Sequence, residues 1–157
     1  MLSRVAENLY WMARYVERAE NTARLVSVNA NLLLDLPRGL APGWKPLIDI
    51  TGLNDVFEDH YQDYGERQVV KFLLADPDNP GSVLSSLNQA RETCRTVRDI
   101  LPRTAWEMLN ELHLYGAENL QTGLTKRGRH AYLRRIISGS QMQTGMLGRV
   151  MTRDEGY

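Results

Sequence analysis

Val5, Leu9, Met12, Val16, Ala19, Ala23, Val26, Ala30 and Leu33 step alternately by four and three residues through the first part of the chain. A seven-residue register of this kind keeps one stripe of a helix apolar, and it predicts a long helix from about Arg4 to about Asp35. At ~1.5 Å per residue that helix is about 45 Å long, a length suited to one member of a bundle. Ser3 offers a capping hydroxyl for it, with Leu2 ahead to lie against the first turn. Pro37, Gly39, Pro42 and Gly43 then end the helix in a loop.

Residues 44 to 75 predict two or three short helices broken near Gly52 and Gly65. Trp44, Leu47, Ile48, Val56, Phe57, Tyr61, Val69, Val70, Phe72 and Leu73 are their expected core members. Asp76-Pro77-Asp78-Asn79-Pro80 punctuates the chain, placing Asn79 as a cap and Pro80 at the first position of the next helix. Val83, Leu87, Ala90, Cys94, Val97 and Leu101 repeat the four-three step and give a second long seam, which Pro102 ends. Thr104 and Glu107 form a capping-box pattern opening a third helix with Trp106, Leu109 and Leu112. Gly116 to Gly128 reads as a loop. A last helix from about Arg129 to Met151 sets Leu133, Ile137, Ser140, Thr144, Leu147 and Met151 on one face, and Gly139, Gly145 and Gly148 along it admit a close neighbour. No strand alternation or βαβ rhythm occurs, so the expected fold is all-α, an antiparallel bundle of long helices with short connecting helices.

Composition agrees with one domain across residues 1–157. The chain is 43% hydrophobic and 24% charged, and no apolar run approaches the ~20 residues that span a bilayer. Arg4, Glu7 and Arg14 interrupt every candidate export signal. Cys94 is alone and lies on an apolar stripe, so it is expected to pack as a small hydrophobe in a reducing cytoplasm. Nineteen basic residues balance nineteen acidic ones, which gives no general attraction to nucleic acid or membrane. The charges are unevenly placed: Asp49 to Glu66 is acidic and Lys126 to Arg153 is basic, an arrangement that lets the two stretches attract each other or a partner. Sixteen of the cations are Arg, the residue suited to carboxylate and phosphate recognition.

The first helix carries more charge than its seam requires. Arg14, Glu17, Arg18, Glu20, Asn21 and Arg24 are its candidate binding residues. Arg14 with Glu17 and Glu20 with Arg24 have the spacing of same-helix ion pairs. Arg18 shares a seven-residue line with Trp11, Leu25 and Leu32, which predicts that it is substantially buried and meets charges from other helices or a ligand. The plainer reading of this segment is a solvated face laced with ion pairs. Arg91, Arg95 and Arg98 share a face of the second long helix and suit a carboxylate or phosphate, although Glu92 and Asp99 neutralise part of that charge. Lys126 to Arg135 is basic but has one aromatic, Tyr132, which is poor material for a nucleic-acid platform. No phosphate-binding loop, dinucleotide fingerprint, nucleophile elbow or Glu-x-x-His pair is present, so no cofactor, metal or catalytic residue is assigned.

Ser3-Arg4-Val5-Ala6-Glu7-Asn8-Leu9-Tyr10-Trp11-Met12 and Arg14-Tyr15-Val16-Glu17-Arg18-Ala19-Glu20-Asn21-Thr22-Ala23-Arg24 resemble the start of the bacterial alpha-E family, a helical domain named for a Glu-Arg motif that Glu17 and Arg18 match. Phe72-Leu73, Asn79-Pro80, Ala90-Arg91-Glu92, Arg95, Val97-Arg98, Trp106 and Arg153-Asp154-Glu155-Gly156 extend the resemblance along the chain. Relatives of this kind are longer, with a second Glu-Arg helix, so the resemblance implies the first half of a two-part domain. It also implies an apolar surface covered by a second copy, in a homo-oligomer, or by a complementing second-half chain. The family's company of ATP-grasp, transglutaminase-like and proteasome-like proteins implies peptide or amide-bond chemistry. The expected role is a non-catalytic accessory that docks an ATP-grasp-type ligase or its peptide substrate. Two alternatives stand beside it: a peptide- or amine-modifying enzyme with a polar site at Glu17, Arg18 and Arg91, and a purely structural bundle.

Overall fold

The computed structural model describes the backbone of residues 3–37, 39–40 and 43–155, with side chains up to residue 149. Helix α1 (Ser3–Asp35) follows the predicted register, and Leu9, Met12, Val16, Ala19, Ala23 and Val26 are buried along it. Ser3 is itself helical, so it does not cap from ahead of the first turn; Leu2 lies outside the described residues. Three short helices follow, α2 (Lys45–Thr51), α3 (Asn54–His60) and α4 (Glu66–Ala75), broken at Gly52 and Gly65 as the sequence predicts. Gly52 ends α2 at φ 71°, a left-handed conformation that glycine adopts without steric cost.

The remaining helices are α5 (Val83–Thr96), α6 (Arg103–Glu118), α7 (Leu120–Leu124) and α8 (Lys126–Glu155). Helix α1 packs along α5 and α8, and α6 packs along the same two. The directions follow from cross-helix hydrogen bonds. Asn8 donates to Thr96 at 3.3 Å and Thr22 to the Gly81 carbonyl at 3.1 Å, so α1 and α5 run antiparallel. Tyr132 donates to the Gly116 carbonyl at 2.7 Å and Gln143 to that of Ala105 at 3.1 Å, so α6 and α8 do too. Leu84 lies beside Gly116 and Arg98 beside Trp106, so α5 and α6 are antiparallel as well, and the four long helices close an up-down-up-down bundle with α2 to α4 inserted between its first and second members. Asn29, buried on α1, donates to the Gly43 carbonyl and ties the intervening loop back to the bundle. Cys94 is buried in the α5 seam, and burial pushes its thiol up to about 11, which keeps it a packing residue.

Several local expectations are corrected. Ser82, not Asn79, caps α5, its hydroxyl accepting from the Ser85 N–H at 3.1 Å. Pro80 precedes the helix, and Asn79 is buried where it donates to the Phe72 carbonyl and accepts from the Gly81 N–H. The α5 helix ends at Thr96, although Val97 and Leu101 remain buried in its line. No capping box opens α6, because Glu107 pairs with Arg103 at 2.8 Å instead. The stretch from Gly116 to Gly128 is mostly helix. Its glycines serve close packing: a Cβ on Gly116 would meet Leu84 at 2.9 Å, and one on Gly123 would meet the Tyr132 ring at 2.5 Å.

The seam of α8 is also shifted from expectation. Its buried seam runs through Arg129, Leu133, Ile136, Ser140, Gln143 and Leu147, with Tyr132 and Gly139 buried beside it, a four-three register in which Ile136 and Gln143 replace Ile137 and Thr144. The side chain of Met151 lies outside the described residues. Gly139 does admit a neighbour, since a Cβ there would meet Leu112 at 2.6 Å, whereas Gly145 faces open space. Opposite outcomes are expected from the same substitution. Gly123→Ala loses about 1–3 kcal/mol against the rigid ring, and Gly145→Ala gains up to about 1 kcal/mol from helix propensity, both read by chemical denaturation.

Candidate functional site

Val16 and Ala19 face the core, so the residues between them are turned away from it. Glu17 has 54% of its side chain exposed and pairs with Arg14 at 3.1 Å; Glu20 pairs with Arg24 at 2.8 Å. Both same-helix pairs match their spacing. Arg18 does not match its expectation: it is exposed, its guanidinium 5.8 Å from the centroid of the Tyr15 ring. The seven-residue line that it shares runs beside the seam and is largely open to solvent: Trp11 and Leu32 are each 42% exposed, while Leu25 is half-buried against the core. Arg14, Glu17, Arg18, Asn21 and Thr22 line a shallow depression of about 160 Å³. Tyr10, Trp11 and Tyr15 form an aromatic cluster at its N-terminal side, with ring centroids 5.5 and 6.1 Å apart.

The three arginines of α5 divide. Arg95 and Arg98 lie over Trp106, their guanidinium carbons 5.8 and 5.0 Å from its ring centroid, beside a hollow of about 580 Å³ that Asp99 and Arg103 also line. Glu92 partly neutralises the group, at 3.5 Å from Arg95 and 3.8 Å from Arg91. Arg91 turns toward α6 and His113. Burial and the Arg91 charge push the His113 imidazole below its ordinary value, against a smaller opposing effect of Glu92. Among the described residues no hydrogen bond or ion pair joins Arg91 to Glu17 or Arg18.

Two further groups were not marked by the sequence reading. The first is an ion-pair cluster between α4 and α8. Arg129 is 6% exposed, its Nη1 donating to Glu66 at 3.1 Å and its Nη2 to the Leu124 carbonyl at 3.2 Å, while Lys126 lies 3.4 Å from Glu66. Here the acidic and basic stretches of the chain meet. The signal was available: Arg129 stands four residues before Leu133, in the buried register of α8. The second group is His60, Asp76 and Asp78, whose ligand-type atoms lie within 4.8 Å of one another. Asp76 accepts from the Tyr61 hydroxyl and the Asp78 N–H, and His60 lies 2.7 Å from Asp78, so these contacts fasten the turn after α4.

The Alpha-E family model, described as a predicted alpha-helical domain with a conserved ER motif, matches residues 1–157. The chain belongs to the Alpha-E family. Two Glu-Arg dipeptides occur in this Alpha-E chain, Glu17-Arg18 on the outer side of α1 and Glu66-Arg67 at the start of α4. An uncharacterised protein of Mycobacterium bovis is 29% identical over 123 residues, covering 68% of this chain and 14% of that protein. Two uncharacterised proteins of Mycobacterium tuberculosis are 29% and 28% identical over the same coverage. The match is thus to one segment of much longer chains. No solved structure matches. No described helix is long and apolar enough to cross a membrane.

His113 supplies a pH test of the α5–α6 contact. Its folded value lies below the ordinary 6.5, so over that interval the unfolded chain binds more protons and acidification favours unfolding. Stability is expected to fall as pH drops below 6.5 and to level off below the folded value. Urea denaturation on both sides of that point should show a flatter slope for His113→Gln; an unchanged slope would place the pH dependence elsewhere.

Proposed function

We propose that this Alpha-E chain is a non-catalytic docking module for an ATP-grasp-type peptide or amide ligase system, and that the partner lies along the outer face of α1. The supporting observation is the division of α1. Val16 and Ala19 are buried, while Glu17 and Arg18 between them face solvent, with an ion-pair partner for Glu17 on its own helix. A catalytic carboxylate works from a water-excluding site with groups that position the substrate. Glu17 has neither, and Arg91 does not join it.

The outer face has the composition of a recognition surface. Trp, Tyr and Arg are the residues that most often carry binding energy at protein interfaces, and Tyr10, Trp11, Arg14 and Arg18 stand together here. Trp11, Leu25 and Leu32 continue the line at seven-residue intervals over about 30 Å of helix, a span suited to a partner helix lying alongside. The ligase identity of the partner rests on the family resemblance, and this chain's place as the first half of a two-part domain rests on the same ground.

The test is co-purification with identification of what is recovered, using the wild-type chain and the helical variants Glu17→Gln/Arg18→Ala and Trp11→Ala. An ATP-grasp-type or peptide-modifying protein is expected with wild type, and at least about tenfold less with either variant, equivalent to about 1.4 kcal/mol. Equal recovery from all three chains would contradict the reading. Sedimentation of the purified chain separates the rival occupant: self-association lost in Trp11→Ala would assign this face to a second copy.

A further inference from the structure

An open cavity of about 420 Å³ lies where the last turns of α1 meet Trp44 and the first turns of α8, away from Glu17 and Arg18. Ala30, Leu33, Trp44 and Leu133 give it apolar walls. Its charged lining is Glu66, Lys126 and Arg129, with His130 beside them, so two permanent cations face one carboxylate and leave one positive charge uncompensated. The size and mixed lining are those of a small-molecule site.

Arg129 is the informative residue. It is more than nine-tenths buried, and its Nη1 and Nη2 each have one protein acceptor, yet its Nε is buried without any. A guanidinium donates five N–H groups in a planar fork, and a buried charged donor left unpaired is costly unless an acceptor arrives. The edge containing Nε suits the two parallel oxygens of a carboxylate. One uncompensated charge matches a monoanion better than a doubly charged phosphate.

We propose that this cavity binds a small amphipathic carboxylate, its apolar body against Leu33, Trp44 and Leu133 and its carboxylate at the Arg129 guanidinium, whose Nε lacks a protein acceptor, with Lys126 alongside. The same chemistry is offered by a free acyl acid and by the C-terminal residue of a peptide. The proposal does not depend on the docking role of α1, and the Glu17→Gln/Arg18→Ala chain is expected to bind the ligand as wild type does.

Calorimetric titration of the whole chain with N-acetyl-leucyl-leucine, its carboxamide and octanoate tests this, together with the indole N–H signals of the three tryptophans. A free acid is expected to bind at least about tenfold more tightly than the carboxamide, moving the Trp44 signal and leaving Trp11 and Trp106 in place. Preference for the dipeptide acid would identify a chain terminus, and preference for octanoate a free acyl acid. Arg129→Lys keeps the charge but loses the fork, and is expected to weaken binding at least about tenfold. Ala30→Leu leaves every charge intact and adds bulk to the cavity, so it carries the test independently of the buried ion pair; it too should weaken binding. Equal affinity for acid and carboxamide, no binding at millimolar concentration, or full affinity in a helical Ala30→Leu chain would overturn the proposal.

Discussion

The buried stripe of α1 is the contact on which the other long helices assemble. Met12, Val16, Ala19, Ala23 and Val26 are wholly removed from solvent, and α5 and α8 both run along α1 in the antiparallel sense, the last turns of α1 lying near the first turns of α8. Burial of an unbroken apolar stripe is the main source of stability for a long helix, far exceeding the contribution of surface ion pairs. The same constraint creates the outer surface. Once one side of α1 is committed to the core, the residues between the seam positions are held in a fixed array facing outward. A rigid helix can then present Tyr10, Trp11, Arg14 and Arg18 with little ordering left to do on binding.

The bundle places its polar groups by the same logic. Seam positions of α8 filled by Arg129, Ser140 and Gln143 are usable because each finds an acceptor on the backbone or a neighbouring helix. Three bonds of these side chains cross between elements: Gln143 to Ala105 joins α8 to α6, and Arg129 joins α8 to α4 through Glu66 and to α7 through the Leu124 carbonyl. Buried polar contacts of this kind are demanding about geometry, which makes them good at selecting one arrangement of helices over its neighbours. Arg129 serves in two capacities, as the fastening between α4 and α8 and as part of the cavity wall.

Much of this architecture is legible in the sequence where the seam is purely apolar. The register of α1 is buried from Leu9 to Val26 and half-buried at Val5, Ala30 and Leu33, and that of α5 with the turn after it is buried from Val83 to Leu101. Legibility fails where polar residues enter the core. In α8 a reading by hydrophobicity passes from Leu133 to Ile137, whereas the structure continues from Arg129 through Leu133 to Ile136 and Gln143. Arg18 shows the converse failure. It aligns with Trp11, Leu25 and Leu32, but an apolar line is buried only if a helix covers it, and among the described residues the covered side of α1 is the adjacent stripe. Gly116 and Gly123 read as breaks because glycine weakens a helix; their role in admitting Leu84 and Tyr132 depends on residues far along the chain. Of the candidate site, the ion pairs of α1 were evident from spacing. For the Arg129 cluster the register of α8 marks the buried arginine, but its partner Glu66 stands 63 positions away and no local spacing points to it.

The Glu-Arg pair of α1 is a surface feature supported by the fold rather than a support of it. Equilibrium denaturation of Glu17→Ala/Arg18→Ala beside the wild-type chain tests this most directly. The exposed positions predict a change within about 1 kcal/mol and an unchanged dependence on denaturant. A loss of about 3 kcal/mol or more is what breaking a buried charge pair produces, and that result would make the motif internal and contradict the account.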